Sequence, residues 1–412
     1  MNVQQAGTGS GRNVQPSLIR AAVITAAVFA LAGFAKPSLA QQWSLTPSIS
    51  QKGFYDDNLL LNPSRKLSTF GSVTTPILKV QRTSPTSTVE LTAQFPYSAY
   101  FGHSNLNAAD QLVDLNANDA LSERSTIAFT GDFQHDTTLR SEQDVNDQFL
   151  AKEIRFTRFD ASPSWTYLLG PIDQVTLSGS YSDVNYATAG KTDYRYYGPQ
   201  IAYQHQLDEL SAITGSLQFN RFEPNDPFNT RTNVYGGLVG YSYKPSERLS
   251  VSGSVGMSYN VTTSNIASED DSLGYRLKFD LNYMMSDQTR LIVSLSHDSE
   301  PSGDGRQITR NRGRVGFKYS LNELTTLGLD SNYSDNEDYF GLQNNTNSSS
   351  QKLSRYFSVG PSVSFQITED LSLVAQYQYR HKIFQSSGGS ATSNAAFLLL
   401  RYDLPTLNWG GL

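Results

Sequence analysis

Strict alternation of apolar and polar residues, in long segments separated by turns, is the feature that most limits how this chain can fold. In the segment 279–297, Phe279, Leu281 and Tyr283 alternate with polar residues, and Leu291 and Val293 resume the alternation after a short polar turn. Successive side chains of a strand point to opposite faces, so this pattern predicts a β-hairpin with one apolar and one largely polar face.

The same alternation recurs along the chain, whereas apolar residues at helical spacing are missing. The clearest runs cover residues 88–101, 175–182, 249–261, 273–283, 315–321, 359–367 and 371–379. Most of the strands inferred in this way have about 11 to 14 residues, which is longer than is typical of soluble sheets and enough to cross a bilayer when tilted.

Short and long connections between the inferred strands alternate from end to end. Tight links occur at 84–86, 122–124, 170–173, 208–209, 245–248, 286–288, 322–323 and 368–370, and longer polar stretches include 137–154, 223–230, 262–271, 299–307, 336–353 and 384–392. Outer-membrane barrels combine short periplasmic turns and long extracellular loops with outward apolar and inward polar faces. A soluble sandwich or propeller has no reason to keep both rules.

The predicted fold class is therefore all-β, a transmembrane antiparallel up-and-down β-barrel. Eight short turns and nine long loops make 17 connections and hence 18 strands, with 16 as the alternative count. The first strand (about 43–55) and the fourth (about 110–121) have the weakest patterns. An even number of strands places both termini on the periplasmic side.

The positions of the tyrosines agree with this orientation. Five of them fall near the turn ends of strands, and four fall near the loop ends. The first set is Tyr167, Tyr203, Tyr243, Tyr283 and Tyr319, and the second is Tyr97, Tyr181, Tyr259 and Tyr379. Together they would form two aromatic girdles at the membrane interfaces.

Residues 1–40 have the layout of a cleaved secretory signal. Arg12 and Arg20 precede an apolar run at 21–34, and the segment ends in a small-x-small pattern at 38–40. A single transmembrane anchor is the alternative, but the apolar run is shorter than the roughly 20 residues needed to span a bilayer. The predicted division is a signal peptide at 1–40 and a barrel at 41–412.

Composition excludes several other classes of protein. The balance of 32 basic and 38 acidic residues is too even for a nucleic-acid-binding protein, so no nucleic-acid partner is expected. The absence of Cys excludes disulfides and a lipoprotein anchor. No phosphate loop, dinucleotide fingerprint or Cys/His cluster is present, so we expect no cofactor and no metal.

Two His-Asp pairs and several acidic clusters are the remaining candidates for chemistry. His135-Asp136 and His297-Asp298 lie near loop ends, but neighbouring strand residues point to opposite faces and no nucleophile accompanies either pair. Residues 269–271 (Glu-Asp-Asp) lack the spaced ligands of a calcium loop, so a solvated loop tip is expected. Asp56-Asp57, Asp335 and Asp338 are interpreted in the same way. We therefore predict that the chain is not an enzyme.

The inward rows of the predicted barrel differ in charge. Strands 12, 14 and 17 would point a ladder of basic residues into the lumen, and strand 18 would add Arg401. The predicted lumen-lining residues that set pore selectivity are Arg276, Lys278, Arg310, Arg312, Arg314, Lys318, Arg380 and Lys382, with Asp280, Asp330 and Asp403 as inward acidic partners. The facing wall is mostly hydroxyl and amide, with Thr126, Thr176, Ser178, Ser216, Gln218 and Asn220.

A ladder of this kind has two interpretations. Rings of positive charge favour anions in pores, so the ladder would select an anionic or strongly hydrated solute. Alternatively, the basic residues pair with acidic loop residues and only keep the lumen wet.

The start of the predicted barrel is similar to a known group of proteins. The segments WSLTPSIS (43–50) and GFYDDN (53–58) resemble the beginning of outer-membrane β-barrel porins that are often encoded with exopolysaccharide systems. The resemblance implies passage of polysaccharide or another polar solute through the outer membrane, and it brings no catalytic residues. Many outer-membrane barrels end on an aromatic residue, whereas this chain continues past Tyr402 to a WGGL end, which leaves the end of the last strand open.

The expected function is an outer-membrane pore or export conduit for a polar solute in a Gram-negative cell. A structural or adhesive barrel that presents loops such as 336–353 is the alternative, and an outer-membrane hydrolase is a third possibility for which no catalytic group can be assembled. The expected partners are outer-membrane lipid, the barrel-assembly machinery and periplasmic exopolysaccharide export proteins. The sequence leaves open whether one of the long loops folds into the lumen.

Overall fold

The structure is a computed structural model that describes residues 41–139, 153–188, 191–266, 270–338, 354–384 and 389–410. The predicted signal segment, residues 1–40, lies outside the described residues. Within the described ranges, no helix is long and apolar enough to cross a membrane. A short 3-10 turn, Ser104–Leu106, interrupts one loop.

The chain forms 18 antiparallel strands, two of which are broken near their loop ends and one near its turn end. In chain order they are β1 Gln42–Asp56, β2 Thr69–Thr83, β3 Ser87–Gln94 with Tyr97–Tyr100, β4 Ala108–Ala109 with Gln111–Ser122, β5 Ser125–Thr137, β6 Arg155–Leu168, β7 Asp173–Tyr186, β8 Tyr194–Gln206, β9 Ser211–Pro224, β10 Arg231–Ser246, β11 Leu249–Thr263, β12 Asp270–Met284, β13 Thr289–Pro301, β14 Gln307–Ser320, β15 Thr325–Asp338, β16 Ser354–Gln366, β17 Leu371–Phe384 and β18 Gly389–Asp403 with Leu407–Trp409. The predicted count of 18 is confirmed.

The sheet closes on itself because β1 pairs with β2 on one side and with β18 on the other. Asp56 lies opposite Ala395, and Ser48 lies opposite Asp403. Beyond Asp403, the segment Leu407–Trp409 continues the pairing with β1, and the Trp409 ring stacks on Trp43 at 6.1 Å between centroids. Closure pairs both edge strands of the sheet with each other, which is what a sheet in hydrocarbon requires.

The exposed fractions of the side chains differ between the outer and the inner face of the barrel wall, as the alternation of apolar and polar residues predicts. On β12, Leu277 is 39% exposed on the outer face, whereas Arg276, one residue earlier, points inward and is 8% exposed. Exposed apolar residues on the outer face include Leu217, Val239, Val255, Met257, Leu273, Leu295, Val315 and Leu398. On the outer face of β3–β5, Val89, Leu115 and Ala117 are buried in a cluster with Leu91 and Phe129.

Both predicted tyrosine sets lie on the outer face. Tyr203, Tyr243 and Tyr283 are exposed near the ends that carry the short connections, which we name the turn end. Tyr97, Tyr181 and Tyr259 are exposed toward the other rim, the loop end. Aromatic residues in two bands mark the two interfaces of a membrane-spanning barrel.

The short connections are held by side chains that bond to their own turn. In the turn between β8 and β9, the Asp208 carboxylate accepts hydrogen bonds from the Ser211 hydroxyl at 2.7 Å and from the Leu210 N–H at 2.8 Å. These bonds stabilise the charged form and lower the pKa of the Asp208 carboxyl. Asn322 makes equivalent bonds to Leu324 and Thr325 between β14 and β15. Local bonds of this kind fix the register of each hairpin.

Candidate functional site

The inside of the barrel has a filled half and an open half. Toward the loop end, inward side chains are almost fully buried, as at Asn260, Arg310 and Ser393. Toward the turn end, inward side chains are exposed, with 51% of the Lys278 side chain and 64% of the Arg314 side chain accessible. Within the described residues, the inward side chains are therefore solvent-accessible on the turn side and buried on the loop side.

A buried ion-pair cluster occupies the filled half on β12–β14. The Arg276 guanidinium donates two hydrogen bonds to Asp298, at 2.7 and 2.6 Å. Arg310, which is 1% exposed, and Arg312 both donate to the Glu300 carboxylate, at 2.9 and 2.7 Å. These three arginines are neutralised by carboxylates two residues apart on β13.

A second buried ion pair joins the strands at the closure seam. The Arg380 guanidinium on β17 donates a hydrogen bond to the Asp56 carboxylate on β1. The Ser393 hydroxyl on β18 accepts a hydrogen bond from Arg380 and donates one to Asp56. The side chains of Arg380 and Asp56 are 6% and 4% exposed. Lys382 points inward beside them, 5.0 Å above the Phe384 ring centroid.

Of the eight predicted ladder residues, the structure separates a paired set from an accessible set. Arg276, Arg310, Arg312 and Arg380 are bound to carboxylates of strands, and Lys382 is buried. Lys278, Arg314 and Lys318 lie exposed on the open side, where Lys278 and Arg314 are at the longer distances of 3.7 and 3.5 Å from Asp298 and Asp330. Their role in selectivity stays a prediction. The pairing partners Asp298 and Glu300 lie on β13 rather than in loops.

The expectation that Asp56-Asp57 and Asp335 form solvated loop tips is wrong. Asp56 is 3% exposed, and Asp57 bonds through both carboxylate oxygens to the backbone and side-chain N–H of Asn394, at 2.7 and 2.8 Å. Asp335 is 8% exposed and faces Arg355 at 3.2 Å. Each aspartate lies within a strand or directly at its end, where a cross-strand donor is available. Glu269 and the side chains of Asp270 and Asp338 lie outside the described residues.

The loop between β1 and β2, residues 57–68, folds into the barrel and packs against its inner wall near the loop end; we name it L1. Leu61 is fully buried against Tyr356 and Ala391 on the inner wall, and Leu59 packs with Leu106 and Leu139. Asn58, also fully buried, donates from its amide to the carbonyls of Asn62 and Thr392. L1 is thus held in place by the apolar contacts of Leu59 and Leu61 and by the hydrogen bonds of Asn58.

The loop between β13 and β14 narrows the mouth further. The Thr192 N–H donates to the Gly303 carbonyl at 2.7 Å, and Lys191 pairs with Asp304 at 2.9 Å. These contacts join the loop after β7 to the loop after β13, although four strands lie between the two hairpins. Two loops from different sides therefore meet at the loop end.

The open half contains two cavities along the basic wall. One, of about 590 Å³, is bordered by Arg290, Lys318 and the turn 286–289. The other, of about 790 Å³, is bordered by Lys278 and Arg314 and reaches Glu300. Asp330 borders both cavities, so they adjoin along β12–β17 from the turn end to the ion-pair cluster.

The facing wall carries an acidic column that the sequence reasoning missed. Asp114, Asp132 and Asp160 lie directly opposite one another on β4, β5 and β6, all pointing inward. Arg158 pairs with Asp160 at 2.5 Å. The alternation of outward and inward residues along β4, β5 and β6 already places all three carboxylates on the inward face. The predicted hydroxyl wall is present beside it, where Thr166 and Thr176 bond to each other at 3.0 Å.

The two His-Asp pairs do not form catalytic arrangements. His135 faces outward and bonds Thr157 at 2.9 Å, whereas Asp136 is buried. His297 stacks on Tyr275 and bonds Asn311, whereas Asp298 points inward to Arg276. In each pair the base and the acid are on opposite faces of the wall. Among the residues that the structure describes, no group of three or more His, Cys, Asp or Glu could hold a metal ion.

A closed 18-stranded barrel with an apolar outer face and a polar lumen belongs in the outer membrane. The short connections then face the periplasm, and the long loops with L1 face the outside. The class of protein defined by the fold is thus an outer-membrane β-barrel.

Comparison with known proteins finds similar solved structures only. No family model matches the chain, and no curated protein matches it. Similar structures include OpdK from Pseudomonas aeruginosa (11% identity, TM-score 0.43, covering 90% of this chain and 99% of that one) and OccAB3 from Acinetobacter baumannii (13%, 0.43, 89% and 99%). The copper transporter OprC is also similar (11%, 0.47, 87% and 65%). At these identities and TM-scores, the solutes of those proteins say nothing about this chain.

Proposed function

We propose that the protein is a gated conduit that passes a polar, anionic solute such as an exopolysaccharide through the outer membrane. The observation that carries this proposal is the accessible set of ladder cations, Lys278, Arg314 and Lys318, which line the two adjoining cavities together with Arg290. Exposed guanidinium and ammonium groups attract carboxylates and other anions in a pore.

The neutral lining of the cavities suits a sugar chain. Ser294, Ser296, Ser358, Ser362 and Gln376 supply hydroxyl and amide groups beside the cations. Such groups exchange hydrogen bonds with sugar hydroxyls as readily as with water, so a hydrated chain can move along them. Arg314 and Lys318 are four residues apart on β14, which places them about 13 Å apart along the strand. A solute that bears repeated negative charges could contact both.

Export requires that L1 move. A solute that enters from the periplasmic side reaches the two cavities before it meets Leu59 and Leu61. L1 is held by side-chain contacts and a few hydrogen bonds and makes no strand pairing. Displacement of L1 can therefore open the outer half without breaking the wall. Periplasmic export proteins would deliver the solute at the turn end, and no catalytic step is involved.

Direct binding tests this proposal without requiring an open pore. The refolded protein in detergent is titrated with a hexasaccharide of a uronic acid and with a neutral hexasaccharide of the same length. The double variant Lys278→Gln/Arg314→Gln should lose more than about tenfold in affinity for the acidic sugar, since two charge-assisted contacts are removed. Arg355→Gln, at the outward pair with Asp335 and away from both cavities, is the matched control and should bind like the original protein. Equal binding of both sugars by all forms would contradict an anionic solute.

A further inference from the structure

A further polar cavity lies on the outside of the barrel, at the loop end of β7–β10. It has a volume of about 300 Å³ and is lined by Arg195, Arg231, Asp183 and Glu223 on the outer face. It is separate from the two lumen cavities, which lie on β12–β17. Because one molecule in liquid water takes up about 30 Å³, this volume corresponds to about ten water molecules.

The height of this cavity places it at the lipid headgroups. Tyr181 on β7 and Tyr235 on β10 are exposed on the outer face and belong to the aromatic girdle. One or two steps further toward the loop end, the outward residues are Asp183 and Arg231. The change from aromatic to charged residues marks the boundary between hydrocarbon and headgroups in the outer leaflet.

The charges of the cavity form one connected group across three strand pairings. Arg195 lies directly opposite Asp183 on one side and Glu223 on the other. It donates to Asp183 at 3.1 Å, while Arg231 is 3.8 Å from Glu223. The side chains of Arg195 and Arg231 are 64% and 55% exposed. The carboxylates therefore orient the two guanidinium groups and leave most of each one accessible.

Neutral polar groups complete the lining. Asn225, Asn229 and Thr230 come from the loop between β9 and β10, and Asn185 comes from the end of β7. Asn229 adopts a positive φ of 50°, and the Thr230 N–H bonds to the Asp226 carboxylate at 3.0 Å. A compact loop thus presents amide and hydroxyl groups next to two arginines.

We propose that this cavity binds the phosphorylated saccharide headgroup of an outer-leaflet lipid. The planar guanidinium groups of Arg195 and Arg231 match the oxygens of a phosphate monoester, and the amides, hydroxyl and carboxylates match sugar hydroxyls. The girdle tyrosines directly below contact the region where the acyl chains begin. This inference depends on the outer-membrane location and is independent of what passes through the lumen.

Binding of three probes distinguishes a headgroup from a free anion. The refolded protein is titrated with bisphosphorylated lipid A, with the same lipid after enzymatic dephosphorylation, and with inorganic phosphate. We expect the phosphorylated lipid to bind at least about tenfold more tightly than either of the others, since phosphate and sugar contacts act together. Inorganic phosphate that binds as tightly as the lipid would overturn the headgroup assignment in favour of a free-anion site.

The double variant Arg195→Gln/Arg231→Gln tests the residues themselves. Both side chains are largely exposed, so the variant is expected to fold, which the mobility shift between unheated and heated samples on a gel verifies. Its affinity for the phosphorylated lipid should fall more than about tenfold, while its affinity for the dephosphorylated lipid stays the same. Arg248→Gln, which removes an equally exposed arginine from the opposite rim, should leave both affinities unchanged. A double variant that binds phosphorylated lipid A like the original protein would refute the site.

Discussion

Asp56 and Arg380, 324 residues apart in the chain, form one buried ion pair across the seam at which the barrel closes. Ser393, on the strand between them, is fully buried and bonds to both. The pair therefore connects three strands and also anchors the residue from which L1 starts.

Removing one partner of this pair leaves the other as an uncompensated buried charge. Asp56→Asn and Arg380→Gln should each lower the free energy of unfolding by about 3 to 5 kcal/mol. The double variant should lose less than the sum of the two. Urea unfolding in lipid vesicles, followed by tryptophan fluorescence, measures these changes. Arg401→Gln, which breaks the exposed pair with Asp403 on the same strand, should cost less than about 1 kcal/mol. Single variants as stable as the control would show that the seam does not depend on this pair.

L1 should open when its two buried leucines become polar. Leu59→Ser together with Leu61→Ser removes the apolar contacts with Leu106, Tyr356 and Ala391 while leaving the strands intact. We expect a higher rate of swelling of proteoliposomes in solutions of neutral sugars than for the original protein. Leu207→Ser, at an exposed periplasmic turn, is the control and should leave the rate unchanged. A folded L1 variant with the original rate would mean that another segment closes the lumen.

Two inward arginines of β14 that lie four residues apart, Arg310 and Arg314, should behave differently. Arg310 is 1% exposed and bound to Glu300 and Asn336, so Arg310→Gln should cost about 1 to 3 kcal/mol of stability. Arg314 is largely exposed and 3.5 Å from Asp330, so Arg314→Gln should change stability by less than about 0.5 kcal/mol and weaken the preference for anions. Chemical unfolding and reversal potentials separate the two effects. If both variants lose only stability, Arg314 has a structural role as well.

The two faces of β12 give an equally direct contrast. Leu277→Arg places a charge on the lipid face near mid-height of the strand and should cost roughly 2 to 4 kcal/mol, which blocks assembly. Lys278→Glu changes an exposed inward residue and should assemble normally with altered ion preference. Appearance of the folded, heat-modifiable band on a gel reports assembly. Identical behaviour of the two variants would contradict the assignment of faces.

Much of this fold follows from rules that act over a few residues. The two-residue alternation of a strand predicts that Leu277 points outward and Arg276 inward, and neither assignment depends on distant parts of the chain. Turn residues such as Asp208 and Asn322 likewise act within their own hairpin. The strand count and the inward direction of the basic ladder were therefore predictable from sequence.

Asp330 and Asp403, expected as inward acidic partners, lie 3.5 Å from Arg314 and 2.9 Å from Arg401. The partners of Arg276, Arg310, Arg312 and Arg380 were not predictable, because they depend on register between strands. Glu300 and Asp298 lie on the inward row of β13, but only the pairing of β13 with β12 and β14 brings them to Arg276, Arg310 and Arg312. Asp56 was interpreted as a solvated loop residue, since its partner Arg380 is at the far end of the chain. The inward fold of L1 has the same cause: Leu61 finds its contacts on β16 and β18.

Single-channel recording in a planar bilayer under a salt gradient tests whether the protein is a gated, anion-preferring pore. We expect the original protein to be mostly closed, whereas the Leu59→Ser/Leu61→Ser variant should conduct steadily with a reversal potential that favours anions. Adding Lys278→Gln and Arg314→Gln to that variant should move the reversal potential toward zero. A correctly folded L1 variant that does not conduct, or that prefers cations, would contradict the account.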